Sequence, residues 1–194
     1  MEVNENIEKI ILKNNGIIFK RIKKNCYEIN FDIKNKNIYL KNIINFKILE
    51  FIFKLNNDFF EDVNLRVINE EEQEANLYVL FKALFEDFGI SQKYSYLSIK
   101  KILENETILF IITPEEKNNI PDEIKNNIPK NAEELPLYFT KFICTFENEH
   151  YGHFTYQLFY NDEFTIPSFL EKMIGNILLK LFHKTKQFIE NCTL

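Results

Sequence analysis

Apolar residues recur along this chain with two different periods, and the switches between them outline its elements. Over residues 5–14, Ile7, Ile10, Ile11 and Leu12 fall at helical spacing and Gly16 follows as a stop, which predicts a helix. Ile17–Lys23 and Cys26–Ile33 read as short strands around a Lys-Lys-Asn turn, and Ile38–Ile44 as a third strand. From Asn45 to Leu55 the period changes: Phe46, Leu49, Ile52 and Phe53 recur at three and four, predicting a short helix.

The middle of the chain supports two readings. Glu70–Glu74 followed by Ala75–Phe88 suits a helix with an acidic first turn. The same stretch also suits a hairpin of Asn64–Asn69 and Asn76–Ala83, because Leu65, Val67, Leu77, Val79 and Phe81 alternate. Local pattern alone leaves both open.

The second half is plainer. Lys93–Ile102 and Thr107–Thr113 are expected to form a hairpin, as are Leu137–Phe146 and His153–Tyr160. Between them, Pro114 to Pro136 holds four of the five prolines and reads as a loop or insertion. After Pro167 an apolar stripe runs through Phe169, Leu170, Met173, Ile174, Ile177, Leu178, Leu181, Phe182, Phe188 and Ile189, the mark of a long amphipathic helix. Pro167 suits its first turn.

Composition narrows the function. The chain has 194 residues, 45% of them hydrophobic, which suits a single domain spanning residues 1–194 with a substantial core. Its four glycines (Gly16, Gly89, Gly152, Gly175) are too scattered for a phosphate-cradling loop. A net charge of -5 argues against a nucleic-acid partner. Three cysteines without metal-ligand spacing point to a reducing compartment. With no signal-peptide pattern and no long uncharged apolar run, a cytoplasmic protein is expected.

No catalytic constellation emerges. His150 and His153 would point to opposite sides of a strand, and His183 lies far off, so no metal site is expected. Glu61-Asp62 and Asn161-Asp162-Glu163 read as solvated turns, and no nucleophile has a base partner by motif. The chain is read as a non-enzyme without cofactor. Antiparallel strands closed by an amphipathic helix enclose either a solid core or a cavity, and periodicity does not choose between them.

The stretch from Tyr156 through Asn161-Asp162-Glu163 and Ile166-Pro167-Ser168-Phe169-Leu170 resembles the last strand, turn and closing helix of START lipid-transfer domains. Tyr78-Val79-Leu80-Phe81-Lys82-Ala83, followed by Tyr94-Ser95-Tyr96-Leu97, is similar to that family's paired strands. Gln92-Lys93 departs from the family's Arg-Asp, and Phe60-Glu61 from its Trp-Asp.

The resemblance implies an α+β helix-grip fold, a curved antiparallel sheet around the C-terminal helix with a lipid tunnel between them. It resolves the ambiguous middle as strands. It further implies a monomer that binds one lipid, a glycerophospholipid, and transfers it during transient contact with a membrane surface. The implied lipid-binding residues are Tyr78, Val79, Phe81, Tyr94, Tyr96, Tyr138, Phe142, Tyr156, Met173, Ile174, Ile177 and Arg66. Tyr94 and Tyr138 match two tyrosines of the cage that holds a choline head group in phosphatidylcholine-binding members. Val79 stands where that cage has tryptophan, and Asn57 where the phosphate arginine lies, leaving Arg66 as the substitute. Leu84, Phe85, Phe88 and Ile90 fall on the membrane-contacting lip. A lipid-sensing or interaction module with a collapsed tunnel, carrying its partner on 114–136, is the alternative; a cyclase- or hydratase-type enzyme of the same superfamily is a further one.

Overall fold

The computed structural model describes residues 8–71, 73–163 and 166–193. Three strands come first: β1 (Lys9–Asn14), β2 (Ile17–Lys23) and β3 (Cys26–Lys34). Two short helices follow, α1 (Leu40–Ile43) and α2 (Phe46–Leu55), then β4 (Phe60–Asn69), β5 (Glu74–Phe81), β6 (Lys93–Glu104) and β7 (Thr107–Pro114). A linker with α3 (Asp122–Lys125) and the two-residue β8 (Glu133–Glu134) leads to β9 (Leu137–Asn148), β10 (Tyr151–Tyr160) and the closing helix α4 (Ser168–Asn191). The strands make one sheet in the order β1-β2-β3-β10-β9-β7-β6-β5-β4, with β8 alongside β6. All neighbours are antiparallel except β8 and β6. This is the helix-grip architecture.

Two expected elements change type. The helix expected over 5–14 is the strand β1, with residues 5–7 lying outside the described residues. Asn15 (φ 49°) and Gly16 (φ 75°) both take the left-handed conformation, building the two-residue turn that pairs Lys9–Asn14 with β2. The strand expected over Ile38–Ile44 is the helix α1, because burying Ile38, Leu40 and Ile44 together outweighs β-propensity. Elsewhere the predicted elements stand, and the middle is the hairpin β4–β5. Its turn lies near Gln73 (φ 56°), with Glu72 outside the described residues.

Strand alternation sends one set of side chains toward α4. These include Phe19, Ile29, Phe31, Leu77, Val79, Ile99, Phe110, Phe142 and Phe154, which form the main core. α4 packs on β1, β2, β3 and α2. Its C-terminal end is tied down twice. The buried Asn35 amide donates to the carbonyls of Ile189 (2.6 Å) and Cys192 (2.8 Å). The Asn56 amide, which caps α2, donates to Thr185 Oγ1 at 3.3 Å. No helix among the described residues is long and apolar enough to cross a membrane.

Candidate functional site

Aromatic rings cross the inner face of the sheet beneath α4. From Phe182 on α4 the ring centroids step 5.5 Å to Tyr156 (β10), 6.1 Å to Phe142 (β9), 6.2 Å to Phe110 (β7) and 6.0 Å to Phe46 (α2). Phe31 joins this path at 5.1 Å from Phe182. Nearer the start of α4, the gap lined by Phe19, Leu158, Tyr160, Ile166 and Ile174 has no room for a water molecule. This part of the interior is closed, so admitting a ligand here means moving its rings and the start of α4.

Polar groups on this apolar face stand out. Glu171, in the first turn of α4, is 4% exposed. Its Oε1 accepts from Tyr27 Oη at 2.8 Å and from Arg21 Nη1 at 2.9 Å. The ion pair is half wet, since the Arg21 side chain remains 37% exposed. Burial, and then the Glu171 carboxylate, push the Tyr27 phenol pKa well up. Burial does the same to Tyr160 and also raises Tyr156, where a hydrogen bond with Thr140 works against it. Ser95 Oγ, whose residue pairs with Val79, is buried without a hydrogen-bond partner among the described residues, while Thr140 Oγ1, beside Leu158, has the Tyr156 phenol within reach. An orphaned hydroxyl like that of Ser95 costs about 1–3 kcal/mol, so a packed core has no use for it. Lys101 lies directly opposite Phe110 and therefore shares the inner face. It is half-buried, has no ion pair among the described residues, and burial lowers its pKa.

The sequence-predicted residues divide between the two faces. Val79, Phe142 and Tyr156 lie on the inner face, Phe81 packs on Phe60 at its rim, and Met173 and Ile174 pack down from α4. Ile177 on α4 is half-buried. Tyr78, Tyr94 and Tyr96 point to the opposite face, where they form a second cluster with Leu80, Ile120 and Ile124 of the linker. Period-two alternation dictates this: Val79 inside places Tyr78 outside. Burial and the nearby Asp62 and Glu61 push the Tyr78 phenol up to about 12. Arg66, opposite Asn76, is exposed on that same outer face and not on the inner one. Tyr138 is exposed and edge-on to Phe139, so the structure does not bring Tyr94 and Tyr138 together as a cage.

The lip expected at Leu84–Ile90 is a loop with a 3-10 turn over Glu86–Phe88. Phe85 and Ile90 pack on the main core, while Leu84 is half-buried. Phe88 (56% exposed) and Phe169 of α4 (51%) face one another at 6.1 Å, an exposed aromatic pair joining the lip to the first turn of the helix. Phe164 and Thr165, just before that turn, lie outside the described residues.

Sequence reasoning missed the Glu171 cluster, although a signal existed. Glu171 precedes Ile174, Leu178 and Phe182 at three, seven and eleven positions, so an acid interrupts the core stripe of α4. His150 and His153 are structural. His150 Nδ1 lies 3.0 and 2.9 Å from the Asn35 and Ile38 carbonyls, and His153 lies between Asp32 and Glu147 on the surface.

No family model matches the chain, and no curated protein matches it in sequence. Solved structures do match its fold. A STAR-related lipid transfer protein fragment from Xanthomonas axonopodis superposes with a TM-score of 0.69 at 11% identity, covering 94% of this chain and 98% of that one. Human StAR-related lipid transfer protein 5 gives 0.66 at 7%, covering 97% and 88%. Human STARD10 gives 0.64 at 8%, covering 96% and 75%. The chain has the fold of START domains.

Proposed function

We propose that this protein is a single START-like domain that binds one lipid between the inner face of the sheet and α4 and carries it between membranes. The class of cargo is a glycerophospholipid. The observation that carries the reading is the buried, unpartnered Ser95 hydroxyl on the inner face, which a bound head group or ester would satisfy. The START fold and the exposed Phe88–Phe169 pair support it. Acyl chains leaving water gain about 0.8 kcal/mol per CH₂, whereas chains leaving a bilayer gain almost nothing, so transfer is an exchange gated by opening.

The opening is at the first turns of α4. The far end of the helix is held by Asn35 and Asn56, whereas the near end is held by the Glu171 cluster and the exposed pair. Phe88 and Phe169 dipping into a membrane interface would shelter the lip while it moves. Val79, Phe81, Phe142, Tyr156, Met173, Ile174 and Ile177 then line the acyl chains. With Arg66 outside, Lys101 is the inward cation left free for a phosphate, because Arg21 is engaged by Glu171. The protein acts without catalysis as a monomer in the cytoplasm, peripheral on membranes.

The path of rings from Phe182 to Phe46 favours a second reading, an interaction module whose interior stays filled. Native mass spectrometry with lipid extraction from the same sample separates the two. A stoichiometric phospholipid adduct is expected. Protein that carries no lipid and moves no labelled phospholipid between vesicles would establish the filled module instead.

A further inference from the structure

A crevice of about 310 Å³ opens between the β1–β2 turn and the middle of α4. Lys13, Asn14 and Asn15 line it from the strand side, and Asn176, Lys180 and His183 from the helix. Asn176, Lys180 and His183 are spaced four and three apart, so they share one helix stripe. No carboxylate among the described residues lines the crevice, in a chain whose net charge is -5.

Lysines on these elements fall into paired and unpaired sets, Lys9, Lys23 and Lys172 being unpaired among the described residues as well. Lys20, Lys184 and Lys186 each meet a carboxylate within 3.4 Å, whereas Lys13 and Lys180 have no ion pair among the described residues. His183 is also uncommitted. Its Nε2 lies 3.4 Å from the Asn15 amide nitrogen, at the long end of hydrogen bonding, and its Nδ1 is buried without a partner among the described residues. The walls are held at a set spacing. A Cβ on Gly175 would lie 2.6 Å from Phe19 and 2.8 Å from Leu12, so helix and strands are already at closest approach beside the crevice.

We propose that this crevice binds a phosphate-bearing anion. Two ammonium groups match a dianion, and the Asn and His side chains provide further donors for its three oxygens. A carboxylate, with one charge and two oxygens, would leave one ammonium unmatched. The contacts are exposed and individually weak, which places the dissociation constant at about 0.1–1 mM and makes it salt-sensitive. The phosphate belongs either to a small soluble monoester or to a lipid head group at a membrane surface. The inference does not depend on cargo inside the sheet.

The test titrates the full chain with sn-glycerol 3-phosphate, with acetate as control, and separately with vesicles containing phosphatidic acid or phosphatidylcholine alone. Saturable binding of glycerol 3-phosphate, weakened at least tenfold in the Lys13→Gln/Lys180→Gln double variant, identifies a soluble ligand. Binding confined to phosphatidic acid vesicles and lost in the same variant identifies a head group. Asn176→Asp, which sets a carboxylate in the crevice, should weaken either one and guards against misfolding of the double variant. Failure of both arms, binding no tighter than acetate, or binding untouched by these substitutions overturns the proposal.

Discussion

Arg21 on β2 and Glu171 on α4 meet at 2.9 Å across 150 residues of sequence, and Tyr27 shares the same carboxylate oxygen at 2.8 Å. Arg21→Met leaves that carboxylate buried without its cation. The loss should be about 1–3 kcal/mol, less than for a fully buried pair because Arg21 is partly in water. Tyr27→Phe should cost about 1–2 kcal/mol. Glu171→Gln, which keeps an acceptor and removes the charge, should cost less than Arg21→Met. Urea midpoints read all three, and equal losses for the Arg21 and Glu171 variants would contradict a buried-charge origin.

Phe88 and Phe169 are each more than half exposed, so replacing both with Ser should leave stability within about 0.5 kcal/mol. Transfer between vesicles should slow by about tenfold or more, since each ring forfeits part of the roughly 1.5–3 kcal/mol of a buried Phe. Unchanged transfer would remove these rings from membrane contact.

Lys101→Met removes a half-buried amine that has no ion pair among the described residues. Melting temperature should hold or rise, because an unpaired charge leaves a desolvating site. Co-purifying phospholipid should fall severalfold. A variant that loses stability and keeps its lipid would place the phosphate elsewhere.

Gly175→Ala tests the seat of α4. Alanine favours a helix by about 1 kcal/mol, but its methyl would meet the Phe19 ring at 2.6 Å. Overpacking should win, for a net loss of about 1–2 kcal/mol by denaturant unfolding. A stabilised variant would show that Phe19 can swing aside.

His153 makes stability pH-dependent. Glu147, then Asp32, hold its pKa above the ordinary 6.5 through side-chain hydrogen bonds. The folded value exceeds the unfolded one, so the stabilisation is complete below about pH 6.5 and is lost as pH rises through the folded value. The ring is close to half exposed, so the effect is small. NMR titration of the ring in wild type and in Glu147→Gln/Asp32→Asn should show the pKa falling back.

Much of the sheet is readable from the sequence because Ile108, Phe110, Ile112 and Phe142, Cys144, Phe146 alternate cleanly and are buried accordingly. β1 is not, because consecutive Ile10, Ile11 and Leu12 satisfy either period, and only the Asn15-Gly16 turn decides. The site was half legible. Apolar residues at Val79 and Phe142 announce the inner face, but tyrosine suits either face of a strand. What buries Tyr78, Tyr94 and Tyr96 on the outside is Ile120 and Ile124, supplied by a linker whose position no local pattern reveals.

The sheet order also sets a timetable for synthesis. β10 joins β3 to β9 and so unites the two halves of the sheet, yet it is the last strand translated. β3 leaves the ribosome roughly 115 residues before its partner, a wait of roughly 6–25 s at ordinary elongation rates. Throughout that interval the nascent β1–β3 unit presents an unpaired edge and an apolar face carrying Phe19, Ile29 and Phe31. Ribosome-stalled chains ending before Tyr151 should therefore be cleaved readily by protease, with resistance appearing only once β10 and α4 have emerged.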